Sequence, residues 1–145
     1  MELFTIGFTR STAERFFTRI ADAGVKRVVD VRLNNSSQLA GFAKAQDLPY
    51  FLRELTGASY EHEPLLAPTP ELLEQAKRTG GDWMLFEVRF HELLSSREIE
   101  TALGRDAYEE PTALLCSEAT AAHCHRRLIA EYLQAHWAGL HISHL

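Results

Sequence analysis

Short apolar runs rich in β-branched residues alternate along the chain with segments in which apolar residues recur every three or four positions. The runs LFTIGF, VKRVVDVR and PTALLCS are typical of buried strands, and the patterns of ASYEHEPL and GLHISHL favour two more strands. We therefore predict five strands, at residues 3–8, 25–32, 58–65, 111–117 and 139–145.

The segments between these runs have the spacing of amphipathic helices. Phe16 and Ile20 lie on one face of a helix that Ser11 can cap, and Pro70, after Thr69, occupies a first helical position. We predict six helices, at residues 12–23, 44–56, 70–79, 82–94, 96–104 and 121–137, with Gly80 ending the third and Thr120 capping the last.

The resulting order is β-α-β-α-β-α-α-α-β-α-β, which defines the expected fold class. Strands that alternate with helices predict a mostly parallel sheet with right-handed crossovers and helices on both faces. We predict a single Rossmann-like α/β domain over residues 1–145, with three α/β/α layers and about five strands. In such sheets, ligands bind beyond the carboxyl ends of the strands, near a reversal in strand order.

Polar and small residues follow the predicted strands at this edge. Gly7 ends the first strand, and His62 follows the third. Asp30 and Arg32 end the second strand two positions apart, so both side chains point to one face. We assign these four residues to substrate binding; an ion pair between Asp30 and Arg32 that needs no ligand is the alternative.

The segment CSEATAAHCHRR carries most of the reactive side chains. Cys116 and Glu118 end a strand, and Cys124, His125 and Arg126 fall in the first two turns of the predicted helix that follows. A thiol near a helix N-terminus and beside a cation is expected to have a lowered pKa, which makes Cys124 a candidate nucleophile. Cys116, Glu118 and His125 complete the candidate catalytic set, although both thiols also fit ordinary packing.

Arg126 is unusual at a helix start, because the helix dipole there favours anions. It is stabilised if a phosphate or carboxylate binds beside it and the free backbone N–H groups. We therefore assign Arg126 to substrate binding. A salt bridge to Glu118 or Asp30 is the alternative.

Composition and charge narrow the function classes. Hydrophobic residues make up 46% of the chain and charged residues 24%, as in globular proteins. The net charge of -5 does not support binding of nucleic acid over the whole surface. Neither a signal peptide nor an apolar run of roughly 20 residues is visible, so we expect a cytoplasmic protein without a membrane partner.

Metal and cofactor motifs are weak in this sequence. A zinc site would draw three or four ligands from His62, Cys116, His123, Cys124 and His125, but the spacing C-x7-C-H matches no standard finger or ribbon. We assign no metal. The chain has no G-x-G-x-x-G and no P-loop, so classical dinucleotide and NTP sites are not indicated and the cofactor stays unknown. The absence of a G-x-S-x-G elbow argues against a Ser-His-Asp hydrolase.

Four segments, FTIGF, VVDVR, SYEHEPLL and ALLCSEATAAHCHRRLIAEYL, resemble the bacterial and archaeal family catalogued as domain of unknown function 488. The last segment matches the family's C-x-E-x5-C-H-R signature. Phe8 stands where many members have histidine, and LLAPTP replaces a Gly-rich step. The resemblance implies a Rossmann-like domain and no established reaction.

Three hypotheses for function remain open. The first is an enzyme that acts on an anionic substrate bearing phosphate or carboxylate, such as a nucleotide or a nucleic-acid-derived molecule. The second is a nucleotide or nucleic-acid binding module without chemistry. The third is a structural ion-pair network of Glu118, Arg126 and Asp30 without a site.

Overall fold

Parallel strands form one open sheet in the computed structural model, which describes residues 1–36, 40–78, 82–118 and 121–145. The strands of these residues are β1 (Glu2–Gly7), β2 (Arg27–Asp30), β3 (Ser59–His62), β4 (Thr112–Cys116) and β5 (His141–His144). Their order is β3-β2-β4-β1-β5, and each neighbouring pair is parallel. The sheet and the helices around it confirm the predicted Rossmann-like α/β class.

The helices follow the predicted order with shifted ends. Thr12, not Ser11, caps the first helix, because its hydroxyl accepts from the N–H of Arg15. The expected end at Gly80 and cap at Thr120 lie outside the described residues. No described helix has both the length and the apolar character needed to cross a bilayer. The described helices are α1 (Ala13–Asp22), α2 (Leu48–Thr56), α3 (Pro70–Arg78), α4 (Trp83–Ser96), α5 (Ile99–Ala102) and α6 (His125–His136), with short 3-10 turns at Gly41–Ala43, Pro64–Leu66 and Arg105–Tyr108.

The start of α6 differs most from the sequence prediction. Cys124 is the N-cap, with extended backbone at φ -134° and ψ 139°, and the helix begins at His125. The predicted start at residue 121 is therefore wrong. Because Cys124 lies before the helix, its side chain is free to turn back toward the sheet.

Helices cover both faces of the sheet, because successive strand residues point in opposite directions. Val28 packs with α1 and α2, whereas Val29 packs with α4, α5 and α6. The inner strands β1, β2 and β4 are therefore buried along most of their length, as expected when both faces are covered, whereas the edge strands β3 and β5 are polar and mostly exposed. Each large apolar side chain in these two cores contributes roughly 1.5–3 kcal/mol to stability.

The crevice that positions the site lies between β2 and β4, which are neighbours in the sheet. After β2 the chain continues to α2 on one face, and after β4 it continues to α6 on the other face. Connections that leave adjacent strands in opposite directions open a crevice at their carboxyl ends.

Candidate functional site

A pocket of about 520 Å³ occupies this crevice. Its apolar wall includes Pro68, Trp83 and Phe86, and its other end includes both cysteines of the chain. A pocket of this size, with an apolar wall and a few polar groups, is typical of a small-molecule site.

The two thiols meet at the base of the pocket. Cys116 ends β4 with 5% of its surface exposed, Cys124 has 2% exposed, and neither is in a disulfide. Their sulfur atoms and a ring nitrogen of His125 all lie within 4.8 Å of one another. The strand end and the helix cap thus bring together three of the four predicted catalytic residues.

His125 is held in one tautomer by the backbone of the neighbouring strand end. Its Nε2 lies 2.8 Å from the carbonyl oxygen of Val31, which can only accept a hydrogen bond. Nε2 therefore carries the proton, and Nδ1 presents a lone pair 3.5 Å from Cys116 Sγ. Phe90 packs edge-on against the ring at 5.5 Å. His125 is consequently oriented to accept a proton from Cys116.

The two thiols have opposite pKa shifts. The hydrogen bond from Cys124 lowers the pKa of Cys116, and the backbone N–H groups of Ser117 and Glu118 act in the same direction against the effect of burial. The same hydrogen bond, together with burial, raises the pKa of Cys124. The predicted low pKa of Cys124 is therefore wrong, because this residue donates to Cys116 and stays protonated.

Arg126 is buried, with 1% exposed, and no carboxylate pairs with it in the described chain. Its Nη1 donates to the carbonyl oxygen of Glu118 at 2.5 Å and to Cys124 Sγ at 3.6 Å. Its Nε is buried without a hydrogen-bond partner among the described residues. The alternative of a salt bridge from Arg126 to Glu118 or Asp30, with the ion-pair network built on it, does not agree with these contacts.

Gly7 allows this arrangement by its lack of a side chain. A Cβ atom at Gly7 would lie 1.6 Å from the carbonyl oxygen of Glu118 and 2.8 Å from Arg126 Nη1. The end of β1 thus packs directly against the turn that follows β4. Gly7 therefore contributes by packing against Glu118 and Arg126. Its predicted contact with substrate stays a prediction.

Glu118 contributes through its backbone. The carbonyl oxygen accepts from Arg126, while the residue is exposed and lines the pocket. Its predicted acid or base role stays a prediction.

Asp30 and Arg32 form a buried ion pair on the α1 and α2 side of the sheet, in which Arg32 Nη1 has no hydrogen-bond partner among the described residues. Arg32 Nε and Nη2 donate to the two carboxylate oxygens of Asp30, each at 2.8 Å, and Nη2 also donates to the carbonyl of Ala43. The hydroxyl of Tyr60 donates to Asp30 at 2.6 Å. Burial raises the pKa of Asp30, but the bonds from Arg32 and Tyr60 outweigh it, so the pKa is lowered. The two charges pair with each other, although Arg32 also lines the pocket.

His62 and His123 lie outside the thiol cluster. His62 is exposed, and its Nε2 is 2.8 Å from the carbonyl oxygen of Arg32. His123 lines the pocket and stacks on Trp83 with ring centroids 5.3 Å apart. The sequence prediction missed Trp83, because only the fold brings the start of α4 to this edge.

Cys116, Cys124 and His125 are close enough to hold a metal ion within the described chain. Two thiols and an imidazole with an open fourth position suit zinc. The buried guanidinium 3.6 Å from Cys124 Sγ already supplies positive charge, however, which opposes a second cation.

Comparison with known proteins gives a family and no closer relative. The family model described as Domain of unknown function DUF488 matches residues 12–133, which is more than half of the chain. No curated protein and no solved structure matches it. The protein therefore belongs to the DUF488 family.

Proposed function

We propose that the protein is an enzyme in which the Cys116 thiolate attacks a small anionic substrate bound in the pocket. One observation carries the proposal: Cys116 and His125 line one pocket as a Cys–His pair, and next to this pair a buried arginine, without a carboxylate partner among the described residues, lies 3.6 Å from Cys124 Sγ. Cys116 thus takes the nucleophilic role that the sequence had favoured for Cys124.

The proton path follows from the tautomer of His125. Its Nδ1, 3.5 Å from Cys116 Sγ, can accept the thiol proton, and the Val31 carbonyl holds the ring in place. A nucleophile, a base and a group that orients the base form the general pattern of nucleophilic catalysis. The lowered pKa of Cys116 increases the fraction of reactive thiolate at a given pH.

We assign the preference for an anion to Arg126, whose guanidinium lies beside the pocket residues Glu118 and Cys124 and does not itself line the pocket. A buried charge without a counter-ion is costly, and a bound phosphate or carboxylate would relieve that cost. The same charge would stabilise negative charge that develops on the substrate during attack. This supports a substrate that bears phosphate or carboxylate.

Nucleotide binding without chemistry is the second candidate. The pair of Trp83 and His123 gives the pocket an aromatic wall against which a base could lie. This candidate needs no reactive thiol, so measurements on Cys116 separate it from the enzyme.

The test compares iodoacetate with iodoacetamide, which differ in charge at nearly equal size. The rate of Cys116 alkylation in the full chain is measured by peptide mass spectrometry, and both rates are divided by those of free cysteine. We expect iodoacetate to be favoured by about tenfold or more, which corresponds to 1.4 kcal/mol, and inorganic phosphate to slow the reaction.

Arg126→Gln should abolish the preference, and Arg127→Gln is the matched control. Arg127 carries the same charge one residue later but pairs with Glu131 at 2.9 Å and Glu87 at 3.6 Å. Phosphate protection of the unmodified protein keeps the test decisive if Arg126→Gln does not fold. A Cys116 that reacts no faster than free cysteine, or shows no preference for iodoacetate, overturns the proposal.

A further inference from the structure

Cys124 has no part in the proposed attack, although it lies in the same buried cluster. We infer that Cys116 and Cys124 form a redox pair that reduces a small hydroperoxide, with Cys116 as the attacking thiol and Cys124 as the resolving thiol. The inference rests on the proposed function in one respect, which is that Cys116 is the nucleophile.

The geometry allows the two sulfur atoms to join. They lie within 4.8 Å of each other, and both are buried in the same cluster with His125. Cys124 is in extended backbone before α6, so a bond to Cys116 does not require any helical hydrogen bond of Cys124 to break. A disulfide needs an S–S distance of about 2.05 Å, which rotation of the two side chains can approach.

The electrostatics set the order of the two steps. The pKa of Cys124 is raised first by its hydrogen bond with Cys116 and then by burial, while His125 lowers it. Oxidation of Cys116 removes that thiolate, whereas His125 remains and Arg126 Nη1 stays 3.6 Å from Cys124 Sγ. The second nucleophile is therefore released only after the first has reacted.

The atoms and electrons balance in two steps. The Cys116 thiolate attacks the terminal oxygen of R–O–OH, so that an S–O bond forms, the O–O bond breaks, and the alkoxide leaves with the proton held by His125. Cys124 then attacks Cys116 Sγ; an S–S bond forms, and hydroxide leaves with the Cys124 proton as water. Two thiols are oxidised to one disulfide while the hydroperoxide is reduced to an alcohol, and a small external dithiol restores the pair by exchange.

The pocket favours a small oxidant over a protein disulfide. Cys116 is only 5% exposed at the base of the pocket, so a sulfur atom on another folded protein cannot approach it in line. A hydroperoxide can enter, and His125 Nδ1, 3.5 Å from Cys116 Sγ, is placed to return a proton to the departing alkoxide.

The experiment treats the reduced full chain with one equivalent of hydrogen peroxide or tert-butyl hydroperoxide, and intact mass and peptide mapping identify the products. We expect the loss of two hydrogen atoms and a Cys116–Cys124 disulfide. Cys124→Ser should give a sulfenic acid at Cys116 that dimedone traps. Cys116→Ser should slow peroxide consumption about tenfold or more, while the matched control Arg127→Gln forms the disulfide at the unaltered rate.

The outcomes separate this inference from the proposed function. Sulfinic acid at Cys116 without a disulfide overturns the redox pair, while selective iodoacetate alkylation still supports the nucleophile. A stoichiometric metal that protects both thiols in the purified protein also overturns the pair. Absence of reaction at Cys116 with both peroxide and iodoacetate overturns both proposals.

Discussion

Two buried arginines, Arg32 and Arg126, lie near the same edge of the sheet, and only Arg32 pairs with a carboxylate of the described residues. Arg32 donates to both oxygens of Asp30, and that carboxylate also accepts from Tyr60. Arg126 has no carboxylate partner in the part of the chain that the structure describes, and each of the two guanidiniums has one nitrogen, Nη1 of Arg32 and Nε of Arg126, that is buried there without a hydrogen-bond partner. The sheet therefore places charged residues at its edge on both faces, and the way each charge is compensated separates a structural pair from a candidate site.

The largest expected effect on the free energy of unfolding comes from breaking the ion pair of Asp30 and Arg32. Asp30→Asn leaves Arg32 buried without its counter-ion, and removal of one partner of a buried ion pair costs about 3–5 kcal/mol. Urea unfolding measures the change in the free energy of unfolding.

Arg126→Met is the matched contrast on the other face. No carboxylate loses its partner in this variant, and the charge that is removed has no counter-ion among the described residues. The free energy of unfolding without ligand should therefore change by less than about 1 kcal/mol. If the two variants lose similar stability, Arg126 is compensated within the protein, and the distinction drawn here between the two arginines is wrong.

The next effect concerns the close packing behind Arg126. In Gly7→Ala, the added Cβ meets the carbonyl of Glu118 at 1.6 Å, so the turn or the strand must move at a cost of about 3 kcal/mol. Gly104→Ala is the control, since a Cβ there meets nothing within 4 Å. Thermal unfolding of both variants tests this, and an unchanged melting temperature for Gly7→Ala contradicts it.

The smallest expected effect is a shift in the pH dependence of the reaction between Cys116 and iodoacetamide. Because the pKa of Cys116 is lowered, its iodoacetamide reactivity should rise at a lower pH than that of free cysteine, whose pKa is about 8.5. Cys124→Ala removes the donor, so the midpoint should move upward. Rates measured from pH 5 to 9 check both, and a midpoint at or above that of free cysteine contradicts the lowered pKa.

The fold was largely predictable because its signals are local. The run of Val28 and Val29 and the helical spacing of Phe16 and Ile20 depend on neighbours within a few positions, and they predict the order of elements. The edge rule for parallel sheets then brings Cys116 and His125 together.

The pKa shifts of the two thiols and the orientation of His125 depend on interatomic distances, and these cannot be derived from the spacing of residues along the sequence. The pKa shifts of the two thiols depend on which sulfur donates, and this follows from an α6 that begins at His125. The carbonyl that fixes His125 belongs to Val31, 94 positions earlier. Trp83 reaches the pocket only through the packing of α4.

Two of the contacts that hold the cluster end on main-chain oxygen atoms, at Val31 and Glu118. Every residue type offers this acceptor, so the amino acid at either position can change while the hydrogen bond to His125 or Arg126 persists. A comparison of aligned sequences from the family will therefore show whether the donors His125 and Arg126 are present. It will not show whether the carbonyl acceptors at Val31 and Glu118 are in place. Comparison of backbone geometry can detect the same cluster in a chain that has other amino acids at these two positions.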